Sequence, residues 1–183
     1  MNDMTAKNYF LSSERLVFSH WTTEDIEFAQ LLWGNPRVSR LISKEGFSQS
    51  EIANKLSTEI KYQATFGYQY FPIANIESKE LIGCCGFHPL EKNTSQAELG
   101  CHILPDFWGQ GIAYEANLKI LEFAKQNFDL ETVIAGHNPD NHASAKLLKK
   151  LGFERIEDQF YEPTGLMHPT YQLNLKPKKP KTI

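Results

Sequence analysis

The run AELGCHIL at residues 97–104 reads as a β-strand, and Pro105, which has no N–H to donate, stops its ladder. Apolar residues then recur at Ile112, Ala116, Ile120, Phe123, Ala124 and Phe128, the spacing of an amphipathic helix. Between strand and helix lie Gly109, Gly111 and Ala113, inside LPDFWGQGIAYEA at residues 104–116. A strand feeding a small-residue turn that opens a helix leaves several backbone N–H groups unpaired and aimed one way. Together with the positive end of the helix dipole they form a seat for an anion, most often a phosphate. A bulkier side chain would hold that phosphate off the backbone. The rival reading is an ordinary tight turn.

The order of the letters narrows the ligand. The pattern is not G-x-G-x-x-G, so the dinucleotide fingerprint fails at its third glycine. Glu131 lies downstream at a suggestive distance, but it precedes the apolar run TVIAG, whereas a ribose-binding carboxylate belongs at a strand's far end. No Lys-Ser or Lys-Thr follows the glycines, which speaks against a nucleoside-triphosphate loop. What remains is a pyrophosphate held by backbone alone, without metal. The six histidines show no metal-ligand spacing, and His137 with His142 reads as coincidence.

Composition fits a single soluble domain over residues 1–175, followed by a basic, proline-containing tail at 176–183 that reads as a disordered, solvated terminus. A formal charge of −3 gives no field favouring nucleic acid or an anionic membrane. No apolar run has the length of a membrane span, and MNDMTAKNYF has no signal-peptide core. Cys84, Cys85 and Cys101, an odd count in predicted strands, read as buried, reduced thiols of a cytoplasmic protein.

Along the chain, residues 15–20 read as a first strand and residues 24–33 as a helix capped by Thr22 or Thr23, burying Ile26, Ala29, Leu32 and Trp33. A second helix starts at Ser48 or Ser50, with Ile52, Leu56 and Ile60 on one stripe. Residues 68–76 and 81–87 are strands joined by a turn, and residues 89–95 form the next turn. Residues 132–137 are a strand, and a helix over 141–151 stops at Gly152. Residues 153–160 and 170–175 are the last strands. The expectation is an α/β (α+β) fold: a mixed, mostly antiparallel sheet of about six to seven strands with helices on both faces.

ELGCHILPDFWGQGIAYEA, followed by NPDNHASAKLLKKLGF at residues 138–153, resembles the GNAT superfamily of acyl-CoA-dependent N-acyltransferases. The opening LSSERLVFSHWTTEDIEFAQLLWGNPRV is similar to the start of its RimJ/RimL-like branch, the ribosomal-protein N-terminal acetyltransferases and their relatives. The resemblance spans residues 11–175. It implies an N-acetyltransferase that passes an acetyl group from acetyl-CoA to a primary amine in a ternary complex, with the coenzyme held where the central strands splay. It also implies a monomer or homodimer.

The family's Gln/Arg-x-x-Gly-x-Gly/Ala motif falls on Trp108, Gly109, Gln110, Gly111, Ile112 and Ala113. The N–H groups from Gly109 to Tyr114 would then cradle the pyrophosphate, with Trp108 packed beneath the turn. Ile103 and Leu104 would run beside the pantetheine through main-chain pairing. Asn141 matches the family asparagine that bonds the pantetheine arm. Asn141 and Asn138 also read as plain helix caps. The resemblance leaves Leu148 where many members have an acidic tyrosine, and Ser144, one turn earlier, where the branch places a thiolate donor.

Glu98 sits where many members carry a carboxylate base. Strand alternation places Glu98, Gly100 and His102 on one face, with Leu99, Cys101 and Ile103 on the other. His102, Glu162 and His168 are further candidate bases. Residues 24–60 and 160–169 would wall the acceptor, an α-amino terminus or a small amine. A catalytically idle acyl-CoA-binding module and a nucleotide-binding domain are the competing readings.

Overall fold

Alternation along the central strands sorts apolar side chains to two opposite faces, so the chain builds two cores. The computed structural model describes residues 7–90 and 93–175. Among these residues one eight-stranded sheet runs in the order β1-β2-β3-β4-β5-β6-β10-β7, and a separate hairpin pairs β8 with β9. The strands are β1 (Leu11–Ser12), β2 (Leu16–Phe18), β3 (Tyr70–Asn75), β4 (Leu81–Leu90), β5 (Asn93–Ile103), β6 (Thr132–Gly136), β7 (Glu154–Arg155), β8 (Gln159–Tyr161), β9 (Leu166–His168) and β10 (Thr170–Asn174). All pairings are antiparallel except β5 with β6.

The helices are α1 (Ile26–Trp33), α2 (Pro36–Ser39), α3 (Gln49–Phe66), α4 (Ile112–Asn127) and α5 (His142–Lys150). On one face, Ile112, Ala116 and Ile120 of α4 and Leu148 of α5 pack on Phe71, Cys85, Leu99 and Val133. On the other, Phe28, Leu32 and Trp33 of α1 and Ile52 and Leu56 of α3 pack on Tyr70, Cys84 and Leu104. Helices therefore cover both faces, as the sequence predicts.

Three local readings change. The helix expected from residue 24 opens as a 3₁₀ turn, Thr23–Asp25, braced by the Asp25 carboxylate accepting from the Thr22 N–H at 2.8 Å. The turn expected at 89–95 is shorter, because β4 runs on through Pro89 to Leu90 and β5 begins at Asn93. Proline is tolerated there at the irregular end of the ladder, where the register shifts between Pro89 and Leu90. The strand expected over 153–160 divides into β7 and β8, and β8 leaves the main sheet to pair with β9. The basic tail lies outside the described residues.

The parallel pairing of β5 and β6 is brief. Only Gln96, Ala97 and Glu98 have partners on β6, namely Thr132, Val133 and Ile134. Beyond Glu98, β5 continues to Ile103 bonded to β4 alone, while β6 continues to Gly136 bonded to β10. The two strands therefore part in the middle of the sheet, directly before the turn into α4.

Candidate active site

The turn after β5 carries the geometry that its glycines suggest. Gly109 and Gly111 both have φ of +75°, a left-handed conformation that side chains other than glycine rarely adopt. Gly111 is the N-cap of α4, and the first N–H to find a helical acceptor is that of Glu115, bonded to the Gly111 carbonyl at 3.1 Å. The N–H groups of Ile112, Ala113 and Tyr114 precede that bond and are the unpaired donors of the first turn. A Cβ at Gly109 would meet no atom within 4 Å, so the space over the turn is open.

A brace from the start of the chain holds this turn. Arg15 donates through Nε to Glu115 at 2.6 Å and through Nη1 to the Gln110 carbonyl at 2.9 Å. Glu115 also accepts from the Arg15 N–H and the Ser13 hydroxyl. Burial pushes the Glu115 carboxyl up, but the bonds from Ser13 and Arg15 outweigh it and leave it below the usual range. The Gln110 side chain donates to the Asp106 carbonyl at 3.0 Å. Tyr114 lies under the Lys150 ammonium, 3.9 Å from its ring centre.

Trp108 does not pack beneath the turn. It is 40% exposed, its indole N–H donates to the Ile103 carbonyl at 2.8 Å, and the Arg37 guanidinium lies 4.9 Å from its ring centre. A buried indole would need a partner for that N–H, and the strand end supplies one at the surface. The Leu104 N–H bonds the Ile82 carbonyl on the β4 side. Alternation then turns the main-chain groups of Cys101 and Ile103 to the edge that β6 has left.

At the start of α5, Asn141 accepts from the Ser144 N–H at 3.1 Å, and Asn138 accepts from the Asp140 N–H at 3.0 Å. Both asparagines thus act as turn and cap acceptors through Oδ1, leaving their amide N–H groups for other partners. Ser144 is half-buried and lies one turn before the buried Leu148.

On the α1–α3 face of the sheet a second constellation forms from distant parts of the chain. Glu98 is half-buried, and burial raises its carboxyl above the usual range, partly offset by the His88 charge. His88 is its cross-strand partner on β4. Tyr70 lies flat on the His88 ring, with centres 3.5 Å apart. A Cβ at Gly100 would strike the Tyr70 ring, so glycine there is a packing requirement. Burial above all, then Glu98, Glu59 and Tyr161, drives the Tyr70 hydroxyl well up, and it stays a phenol. Burial, then Glu98, likewise raises Tyr161 on β8.

Glu59 is the residue that sequence reasoning missed. It is 2% exposed, yet charged by nature, on an otherwise amphipathic α3. Its signal was its position: residue 59 falls on the stripe set by Ile52 and Leu56, where a carboxylate needs a buried partner. Lys55, one turn earlier, lies over Trp33 and Phe47 with its ammonium 5.2 Å and 4.7 Å from their ring centres.

The other candidate bases separate. His102 shares the Glu98 face, but its Nδ1 accepts from the Trp33 indole at 3.1 Å. Burial, with Lys55 and His88 nearby, lowers it to about 3, so it stays neutral. His168 is buried, paired through Nε2 with the Thr164 hydroxyl at 2.8 Å, and lowered by burial and then by His137. Glu162 is exposed in the β8–β9 turn. A cavity of about 500 Å³ opens between Phe28, Arg37, Leu81 and the Leu104–Phe107 lead-in, away from Glu98. The three cysteines are free, and among the described residues no helix is long and apolar enough to cross a membrane.

Comparison with known proteins agrees with this geometry. A family model described as an acetyltransferase (GNAT) domain matches residues 15–154. The chain is 31% identical over 147 residues to an uncharacterized N-acetyltransferase, YoaA, of Bacillus subtilis, covering 79% of this chain and 82% of that protein. It is 29% identical over 87 residues to the ribosomal protein uS5-alanine N-acetyltransferase of Escherichia coli, covering 47% of this chain and 45% of that one. Its fold matches a solved structure of RimL, a ribosomal-protein α-N-acetyltransferase in complex with coenzyme A, with a TM-score of 0.76 and 18% identity over 91% of this chain and 98% of that one. A strand that parts from its neighbour just before an amide-lined helix start is thus found in an N-acetyltransferase that belongs to the GNAT family.

Proposed function

We propose that this N-acetyltransferase moves the acetyl group of acetyl-CoA directly onto a primary amine, with Glu98 as the base and Ser144 as the donor to the departing sulfur. The observation that carries the reading is the coincidence of three features: the parted β5 and β6, the left-handed turn at Gly109 and Gly111, and a half-buried carboxylate on the strand between them.

The residues fit the coenzyme. The N–H groups from Gly109 to Tyr114 would receive the pyrophosphate, aided by the helix dipole. The freed edge of β5 at Cys101 and Ile103 would pair with the pantetheine arm as a strand does, and the Asn141 amide N–H lies at the start of the facing helix. Bound acetyl-CoA supplies an activated acyl carbon and a thiol leaving group. Glu98, raised by burial, takes a proton from the acceptor ammonium and frees its lone pair. Tyr70 and Tyr161 flank that carboxylate and limit water around it. Ser144 remains protonated at neutral pH and donates a hydrogen bond to the forming thiolate.

The acceptor is an α-amino terminus of a protein or peptide, or a small amine, met in the cytoplasm by a monomer or homodimer. The buried Leu148, where a tyrosine is common, favours one rival: a module that binds acyl-CoA without turning it over. Free-thiol release with acetyl-CoA against amino acids, small amines and N-terminal peptides tests both. Thiol release with intersecting initial-velocity lines supports direct attack. Parallel lines overturn the ternary complex, and no release with any amine leaves the idle module.

A further inference from the structure

Glu59 presents an unusual arrangement. A carboxylate that is 2% exposed has both oxygens engaged: Oε1 lies 2.6 Å from His88 Nε2, and Oε2 accepts from the Tyr70 N–H at 2.8 Å. Removing a carboxylate from water costs several kcal/mol unless partners replace the solvent, so a site of this kind persists only where its partners are fixed. They are. The His88 ring is clamped between Tyr70, stacked within 5° of parallel, and the edge of Tyr62 at 5.0 Å. With Nε2 held by Glu59, Nδ1 is the nitrogen left to serve the cross-strand neighbour, Glu98. Side chains directly opposite on antiparallel strands stand close enough to interact, and the His88 charge acts on Glu98 here. His88 is also 22% exposed, whereas Glu59 is closed off.

We propose that Glu59 and His88 are positioning residues for the acetyl transfer: together they form a relay behind Glu98 that carries away the proton taken from the acceptor ammonium. The inference rests on Glu98 being the base. The relay balances as follows. Glu98 takes one proton from the ammonium, leaving a neutral amine and a carboxylic acid. His88, an imidazolium paired with Glu59 through its Nε2–H, gives its Nδ1 proton to water at its exposed edge and takes the proton of Glu98 in its place. The imidazolium is thereby restored, and Glu98 is ionised for the next turnover. Glu59 keeps its bond to Nε2 throughout and fixes the ring. The groups facing His88 are Glu59 and Tyr62 from α3, Tyr70 from β3 and Glu98 from β5, with Lys55 of α3 acting on Glu59 and with His102 farther along β5 held neutral.

The test is the pH profile of kcat/KM for His88→Gln, Glu59→Gln and Glu98→Gln with one amine acceptor, beside coenzyme A binding by calorimetry and a melting curve for each. Without His88, burial acts on Glu98 unopposed, so the acidic limb moves up. The loss in kcat/KM is then largest on the acidic side and closes toward the wild-type value at high pH. Glu59→Gln moves the limb the same way by less. Coenzyme A binding stays within about twofold of wild type, because the cradle lies elsewhere. An equal loss at every pH with the limb unmoved overturns the relay, since that is what a purely structural role produces. Should His88→Gln not fold, the limb of Glu59→Gln decides alone. If Glu98→Gln keeps both rate and limb, the base assignment itself fails; if Glu98→Gln is inactive and the His88 limb does not move, only the relay fails.

Discussion

The proposed coenzyme side and the proposed acceptor side of this molecule are made of different material. The cradle is main chain, built from one contiguous turn whose two glycines set its shape, and it needs from side chains chiefly that they be small. The acceptor face is side chain, assembled from Glu59, Tyr70, His88, Glu98 and Tyr161 on five separate elements. A backbone site depends on local conformation. A site gathered across strands depends on register and burial, so any slip that turns β4 or β5 over would dissolve it.

That contrast can be broken or sharpened by substitution. The largest effect is expected at Gly111→Val. The left-handed conformation costs a non-glycine residue about 1–2 kcal/mol, and the side chain would also crowd the amides. Coenzyme A binding should weaken at least tenfold by calorimetry; normal affinity would remove the cradle from the argument. Gly100→Ala comes next and strikes the other side. Forcing a methyl into the Tyr70 ring costs about 1–3 kcal/mol, a fall of about 2–10 °C in melting temperature, with coenzyme binding kept. An unchanged melting curve would mean that the Tyr70 ring moves freely. Ser144→Ala should lower kcat by about tenfold, the worth of one hydrogen bond to a charged group, with little change in coenzyme affinity. An unaltered kcat excludes the serine from the chemistry.

The last effect is read as a slope. His102 titrates near 3 when folded against an ordinary 6.5, so the unfolded chain binds a proton that the native one refuses between those values. Its contribution to stability is present above 6.5 and is lost as pH falls toward 3. His102→Gln should flatten that part of the stability curve measured by urea unfolding, and an unchanged slope would show that the ring is not held neutral.

The same division explains what could be read from the chain. The strand–turn–helix at residues 97–128 is local, and its glycines, proline and apolar spacing were legible together. Both helical layers were legible from their stripes. The alternation that puts Glu98 and His102 on one face held, because Leu99 and Ile103 enter the α4 core. His88 escaped because Pro89 marked an early turn, which ended the strand at Phe87, one residue short. Glu59 escaped because a charge on a helix is ordinarily solvated, and it is contacts with β3 and β4, later in the chain, that engage its two oxygens. The start of β8 was merged into a longer strand, and β9 was taken into the 160–169 turn, for a similar reason: the two pair only with each other, and no periodicity announces the pairing.

One consequence follows from how briefly β5 and β6 are joined. Among the described residues, three residue pairs and the Glu131 N–H bonded to the Ser95 carbonyl form the seam between the strands numbered one to five and the trio of β6, β10 and β7. A ligand lying along the vacated edge of β5 lengthens that seam and works as an added strand, so coenzyme A should knit two half-sheets into one cooperative unit. Hydrogen exchange in β6 and β10 should slow on its addition far more than exchange in β3 and β4, which are zipped along most of their length already.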